Sequence, residues 1–221
     1  MMEPMNVFET QVTGGLFIAA ASMMWLGWTL LPAKIGDYLI VDDFAAVGAH
    51  RRSWIWLYRV HLFGYVIGTM AFVALATLAA GTPSRIIVWP AVAVLGTGLM
   101  MTAVAAAFYY HFGAWGSVDM DGKSTEAIRA FIDSLRVSTE YVTCLTRFSR
   151  VFLGVGQVVL ALGLLHSGPW PAWLVGWGGG LGVAGMALTM GLPDNMGLYR
   201  PLFHLNALWL AVFGAVTLMI T

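Results

Sequence analysis

The sequence predicts an all-α protein, a polytopic integral membrane bundle of six transmembrane helices with one cytoplasmic amphipathic helix. Two observations predict this fold class. First, the 221 residues are 59% hydrophobic and only 10% charged, with a mean hydropathy of +0.80, whereas a soluble domain carries roughly 25% charged residues. Second, six apolar stretches reach the length of about 20 residues that crosses the hydrocarbon core of a bilayer. We therefore expect lipid to surround most of the chain.

The six predicted spans are separated by residues that begin or end helices, and together they form a single membrane domain over residues 1–221. The spans cover residues 12–31, 55–80, 86–112, 148–166, 172–192 and 202–220. Proline or glycine marks most of their boundaries, at Pro32, Gly81, Pro83, Pro171, Pro193 and Pro201. Proline is tolerated at the start of a helix, where its missing N–H costs nothing. The first span lacks the basic flank of a signal peptide, so we expect it to be retained as an anchor.

The basic residues predict an orientation in the membrane. Arg85 lies on one side of the predicted bundle, and the other ten lie on the opposite side, here named the basic side: Lys34, Arg51, Arg52, Arg59, Lys123, Arg129, Arg136, Arg147, Arg150 and Arg200. Basic flanks stay in the cytoplasm during insertion. We therefore expect a multi-pass protein of the cell membrane with both termini outside. The loops at residues 32–54, 113–147 and 193–201 are then cytoplasmic.

The longest predicted loop contains the amphipathic helix, at residues 123–145. Its apolar residues recur at three- and four-residue spacing: Ile128, Phe131, Ile132, Leu135, Val142 and Leu145. Two pairs of opposite charge stand four residues apart, Arg129 with Asp133 and Arg136 with Glu140. This pattern is typical of a surface helix with one apolar face. The helix is expected either to lie along the membrane or to pack under the bundle.

Glycine predicts how the spans pack. Gly64 and Gly68 form a GxxxG pattern in the second span, and the fifth span contains six glycines between residues 176 and 185. Small residues let helix backbones approach closely in lipid. These faces predict a tight bundle, or contacts with protein partners or a second copy of the chain, in addition to the surrounding lipid bilayer. With a net charge of zero, no basic patch argues for a nucleic-acid partner, and the single Cys144 excludes an intramolecular disulfide.

The histidines are the main candidates for chemistry. His61, His111 and His204 all fall near the basic side, each on a stripe of small residues that is expected to face other helices. Three imidazoles at one end of a bundle predict a shared site for haem b or a transition metal. His50, Asp42 and Asp43 are candidates for further ligands or for groups that orient the ligating rings. The alternative is that each histidine simply hydrogen-bonds to its own neighbour at the membrane surface.

The sequence leaves three functions open. The first is an integral membrane subunit or accessory protein of a larger membrane complex, without catalysis of its own. The second is a small membrane redox protein that holds haem or metal through the histidines, and the third is an enzyme that acts on a lipid or isoprenoid at the cytoplasmic face. The predicted histidines are shallow for a haem site, which favours the first. The middle of every span lacks charged residues, which argues against a proton pump or secondary transporter.

Overall fold

The long helices predicted from the sequence are present in a computed structural model of the chain. The structure describes residues 6–30, 41–192 and 196–220, without the side chains of residues 41–43, 167 and 196–198. Over these residues it consists of helices and connecting turns, without strands. The helices are α1 (Val7–Thr29), α2 (Val41–Ala49), α3 (Arg51–Leu78), α4 (Arg85–Ala114), α5 (Gly116–Asp119), α6 (Thr125–Ser134), α7 (Arg136–Ser167), α8 (Ala172–Gly191) and α9 (Met196–Met219). The prediction of an all-α bundle is confirmed.

Six of these helices, α1, α3, α4, α7, α8 and α9, are long and apolar enough to cross a membrane. They correspond to the six predicted spans and are compatible with a multi-pass membrane protein. Helix α7 begins twelve residues before the span predicted from residue 148. No glycine or proline stands between Arg136 and Phe148 to end it, so one helix continues through the polar segment into the apolar one.

The six long helices form a closed ring in chain order. Each packs against the long helix before it and the one after it, and α9 returns to pack against α1. Two junctions of this ring are made by glycine pairs. A Cβ atom at Gly14 of α1 would lie 2.7 Å from the carbonyl oxygen of Gly214 in α9, and the reverse distance is the same. Gly154 of α7 and Gly182 of α8 form the second such pair. Much of the predicted glycine packing is therefore used between neighbours within the ring.

Glycines of α8 differ in what they contact, although the sequence predicts one nearly continuous packing face. Gly178 lies against the indole of Trp209, and Gly182 lies against α7. In contrast, a Cβ atom at Gly176 or Gly180 would meet nothing within 4 Å. Close packing between the described helices therefore explains only some of the glycines in α8.

The helix predicted over residues 123–145 is divided in the structure. Helix α6 ends at Ser134, and α7 starts at Arg136. Between them the backbone N–H of Leu135 donates to the carbonyl of Ile132 at 3.0 Å. Leu135 is buried in a small apolar cluster with Phe44 of α2, against which Ile128, Phe131 and Ile132 also pack. The expectation of one continuous helix is therefore corrected: the chain breaks at Leu135, where this tertiary cluster outweighs the local helical pattern.

The apolar face of α6 is the one predicted from the sequence, and it packs under the bundle against α2. The ring centroids of Phe131 and Phe44 are 5.7 Å apart. Ser124 caps the N-terminus of α6, since its hydroxyl accepts a hydrogen bond from the backbone N–H of Ala127 at 3.2 Å. Hydrogen bonds from its own backbone N–H and from the Ser124 hydroxyl lower the pKa of the exposed Glu126 carboxyl. Both bonds favour the charged form at the positive end of the helix dipole.

Two arginines on the basic side connect neighbouring long helices. Arg51 at the start of α3 donates through Nε to the carbonyl of Ala114, the last residue of α4, at 2.7 Å. Arg147 of α7 donates to the carbonyl of Thr189 near the end of α8, at 2.6 Å. The last carbonyls of a helix have no partner within the helix, so these bonds help to close the ring at its basic end.

Candidate functional site

A cavity of about 290 Å³ lies inside the ring, in the half nearer the basic side. All six long helices contribute to its wall. Its deeper part is lined by apolar side chains: Phe72, Leu95, Leu99, Leu153, Leu181, Trp209 and Leu210. The cavity exists because each helix packs against its two neighbours in the ring, which leaves the centre unfilled at this end.

The polar groups of the wall fall into two sets. Near the middle of the cavity they satisfy each other: Thr102 bonds to Ser149, and the side-chain amide of Gln157 donates to Asn206. Ser149 also donates to the carbonyl of Gly98 at 2.8 Å. These bonds join α4 to α7 and α7 to α9. The second set, at the basic end, is made of Trp28, Tyr58, His61, Tyr109, Arg150, Tyr199 and Arg200.

His61 connects α3 to α1 at this end. Its side chain is only 5% exposed, and its Nε2 lies 3.1 Å from the carbonyl oxygen of Met24. Because a carbonyl can only accept, Nε2 must carry the hydrogen and donate it. The imidazole packs directly on Gly27, where a Cβ atom would overlap the ring. Glycine at position 27 therefore leaves the space that His61 occupies.

The other two histidines of the predicted site are exposed, and the three rings are not collected into one cluster. His204 of α9 lies beside Trp28, with ring centroids 6.2 Å apart, and His61 lies 5.8 Å from the same indole. His111 of α4 contacts Phe112. Of the described residues that line the cavity, His61 is the only histidine. Helices α4 and α9 stand on opposite sides of the ring, which explains why His111 and His204 lie apart.

The structure gives no support to a haem or metal site. Among the described side chains, no three or more of His, Cys, Asp and Glu come together in a group that could hold a metal ion. The Nε2 of His61 donates to the Met24 carbonyl, so a ligand bond from His61 would have to come from its Nδ1. His50 is exposed just before α3. The side chains of Asp42 and Asp43 lie outside the described part of the structure.

Aromatic rings and guanidinium groups form the basic end of the cavity. The guanidinium of Arg150 lies over the ring of Tyr199, 3.7 Å from its centroid, and that of Arg200 lies over Trp28 at 5.2 Å. The indole N–H of Trp28 and the hydroxyl of Tyr199 are buried and have no hydrogen-bond partner among the described residues. A buried polar group without a partner costs about 1–3 kcal/mol. This end of the cavity therefore offers hydrogen-bond donors that the described protein atoms leave unused.

Sequence reasoning missed part of this wall. Trp28 is not among the site residues predicted from the sequence, and Arg150 is counted only as a basic residue that sets orientation. A signal for Arg150 is nevertheless present in the sequence. Gly154 and Gln157 follow it at four and seven residues, which places all three on one helix face. A face that combines a charge, a glycine and an amide is expected to point toward other helices rather than toward lipid.

The structure defines an all-α protein with a central cavity between six long helices, and these helices are compatible with a multi-pass membrane protein. Comparison of the chain with protein-family models, with curated proteins and with solved structures found no match.

Proposed function

We propose that this protein binds an amphipathic small molecule inside the membrane, in the cavity enclosed by its six long helices. The observation that carries the proposal is the cavity itself, with an apolar interior and a polar end. Small-molecule sites are concave, mostly apolar, and fixed by a few polar groups, with volumes from about 300 Å³ upward. The volume of about 290 Å³ is close to that lower bound.

The distribution of side chains supports one orientation of the ligand. Leu95, Leu99 and Phe72 lie deep in the cavity, whereas Tyr199 and Arg200 lie at its basic end. An apolar chain placed against the deep residues gains about 25 cal/mol for each Å² removed from water. A polar group at the other end of the ligand would then lie near Tyr199 and Trp28.

We further propose that the basic end of the ring faces the cytoplasm and that the protein resides in the cell membrane. The described arginines of this end include Arg51, Arg59, Arg147 and Arg200, and each lies in the N-terminal half of its helix. The positive-inside tendency supports this orientation. Ligand would then enter or leave at the cytoplasmic side of the bundle.

The non-catalytic subunit predicted from the sequence agrees with a binding role and stays a prediction. Glycine faces give this prediction less support than the sequence indicated. Gly14 packs against Gly214, and Gly154 packs against Gly182, so these glycines contact neighbouring helices of the same chain. The redox alternative also stays a prediction, and no metal-binding group among the described side chains supports it. The enzyme alternative stays a prediction, and the cavity would hold its lipid or isoprenoid substrate.

Two photoreactive probes of the same chain length test the proposal: a fatty acid and a fatty alcohol, each with a diazirine in the chain. The purified protein in lipid nanodiscs is irradiated with each probe, and the labelled residues are mapped by mass spectrometry. We expect saturable labelling of the deep cavity wall, including Leu153 and Leu210, by at least one probe. Labelling confined to lipid-facing residues such as Val104 and Leu162 would contradict the proposal.

Two adjacent alanines of α4 give a matched pair of variants. Ala106 lines the cavity and is buried, whereas Ala107 is exposed on the outer face. Ala106→Phe places a ring in the cavity and should abolish saturable labelling of its wall, and Ala107→Phe should leave labelling unchanged. If Ala106→Phe fails to fold, Gly68→Leu is a second blocking variant. A Cβ atom at Gly68 meets only ordinary contacts, the nearest at 3.6 Å.

A further inference from the structure

The basic end of the cavity is rich in donors of hydrogen bonds. The indole of Trp28 can only donate, and so can the guanidinium groups of Arg150 and Arg200. The Trp28 N–H and the Tyr199 hydroxyl are buried without a partner among the described residues, and Tyr199 is 6% exposed. Each guanidinium stacks on one of these two rings. The unused donors and the two cations therefore lie at one place in the wall.

We propose that the cavity takes a single-chain amphipath whose head is an anionic oxygen group, a carboxylate or a phosphate. This inference rests on the proposed binding function and adds the chemistry of the head group. The head accepts hydrogen bonds from the N–H of Trp28 and the hydroxyl of Tyr199. The positive charges of Arg150 and Arg200 stabilise its negative charge, and this effect does not depend on the other contacts of the two guanidinium groups. The chain of the ligand extends toward Leu99 and Leu95.

The same wall disfavours other head groups. A cationic head would meet two guanidinium charges and offer them no acceptor. A hydroxyl head can accept one of the donated bonds but carries no charge to gain from the arginines, and hydrogen bonds to charged groups are roughly twice as strong as neutral ones. The cavity volume of about 290 Å³ suits one apolar chain rather than the two of a membrane phospholipid.

The matched photoprobes separate this inference from the function on which it rests. Under alkaline conditions that keep the acid ionised, we expect the fatty acid to label the cavity wall at a concentration about tenfold lower than the fatty alcohol, since charge-assisted bonds contribute more. Equal labelling by acid and alcohol would overturn the anionic head and leave the binding function standing. Absence of cavity labelling by both would overturn the two together.

Conservative variants test the donors themselves. Tyr199→Phe and Trp28→Phe keep a ring under each guanidinium and remove the unpartnered O–H or N–H. We expect each to weaken labelling by the acid about tenfold and to weaken labelling by the alcohol by a smaller factor, since the neutral hydroxyl accepts only one of the two bonds and accepts it more weakly. Parallel losses for acid and alcohol would show that the rings act only through packing, and would contradict the inference. Because neither donor has a partner among the described residues, both variants should fold, which thermal unfolding checks.

Competition distinguishes the two anions. Unlabelled farnesyl phosphate and unlabelled palmitic acid are each added against the photoreactive acid, with farnesol and methyl palmitate as their uncharged counterparts. Displacement by both anions and by neither counterpart supports an anion site without preference. Displacement by one anion assigns the head as carboxylate or phosphate. Displacement by the uncharged compounds at equal concentrations would overturn the inference.

Discussion

Gly154 of α7 and Gly182 of α8 lie in backbone contact. A Cβ atom built at either glycine would be 2.6 Å from the carbonyl oxygen of the other. The position of a Cβ atom is fixed by its own backbone, and the atom that it would meet is a backbone carbonyl oxygen of the other helix. No side-chain rotation can therefore relieve the contact, and the helices would have to separate. The hydrogen bond from Gln157 to Asn206 lies about one helical turn from this junction along α7.

The first prediction follows from that contact. Gly182→Ala should lower the free energy of unfolding by about 1–3 kcal/mol, the usual cost of overpacking, as measured by thermal unfolding in detergent. Gly180→Ala is the matched control on the same helix, because a Cβ atom there meets nothing within 4 Å. It should be neutral or stabilising by up to about 1 kcal/mol, since alanine has the higher helix propensity. Equal effects of the two changes would mean that α7 and α8 do not pack in this register.

The second prediction concerns His61. His61→Ala should lower stability by about 2–4 kcal/mol, because it leaves a cavity next to Gly27 and removes the donor to the Met24 carbonyl. His111→Ala should change stability by less than about 0.5 kcal/mol, since His111 is exposed. Thermal unfolding of the two variants measures the difference.

A visible spectrum of the same proteins tests the redox alternative. We expect no Soret band from protein purified out of haem-supplemented cells, because the described side chains of His61, His111 and His204 do not form a group that could hold a metal ion. A Soret band that is lost in both His61→Ala and His204→Ala would contradict this expectation and restore the haem site predicted from the sequence.

The third prediction concerns the contact between α6 and α2. Phe131→Asp places a charge against Phe44 and the buried Leu135, and desolvation of that charge should undock α6. Hydrogen exchange of the amides of residues 125–134 should rise about tenfold or more, which corresponds to a loss of about 1.4 kcal/mol of local stability. Arg129→Ala, at an exposed position of the same helix, should leave exchange unchanged. Similar exchange in the two variants would show that this face of α6 is not docked.

The fourth prediction tests the orientation proposed from the basic residues. Alkaline phosphatase, which is active only outside the cytoplasm, should be inactive when inserted at Gly122 and active when fused after Thr221. Gly122 is an exposed glycine with a φ of 67°, in the turn before α6, so an insertion there disturbs little packing. The reverse pattern of activity would place the basic end outside the cell.

The number and approximate position of the spans could be predicted from the sequence, because bilayer thickness fixes how many apolar residues a crossing helix needs. The apolar face of α6 could be predicted for a similar reason, since helical periodicity is local. The break at Leu135 could not, because it depends on Phe44, which is distant in the chain.

The candidate site was predictable only in part. Helical spacing indicates which face of a helix carries His111 or His204, but not which helices stand next to one another. The ring order places α4 and α9 apart, and this order is a property of the assembled bundle. The sequence assigned Arg150 only to the basic side of the membrane, but in the structure this residue also lines the cavity.

Closure of the ring between Gly14 and Gly214 has a consequence for biosynthesis. Helix α9 is synthesised after the other described helices, so the Gly14 face of α1 has no permanent neighbour while α3 to α8 are being inserted. The chamber has an open side until that final contact forms. The proposed ligand would therefore have its first opportunity to stabilise the protein only after α9 has been translated. Chains that include α9, and not shorter nascent chains, should be the first to gain protease resistance from it.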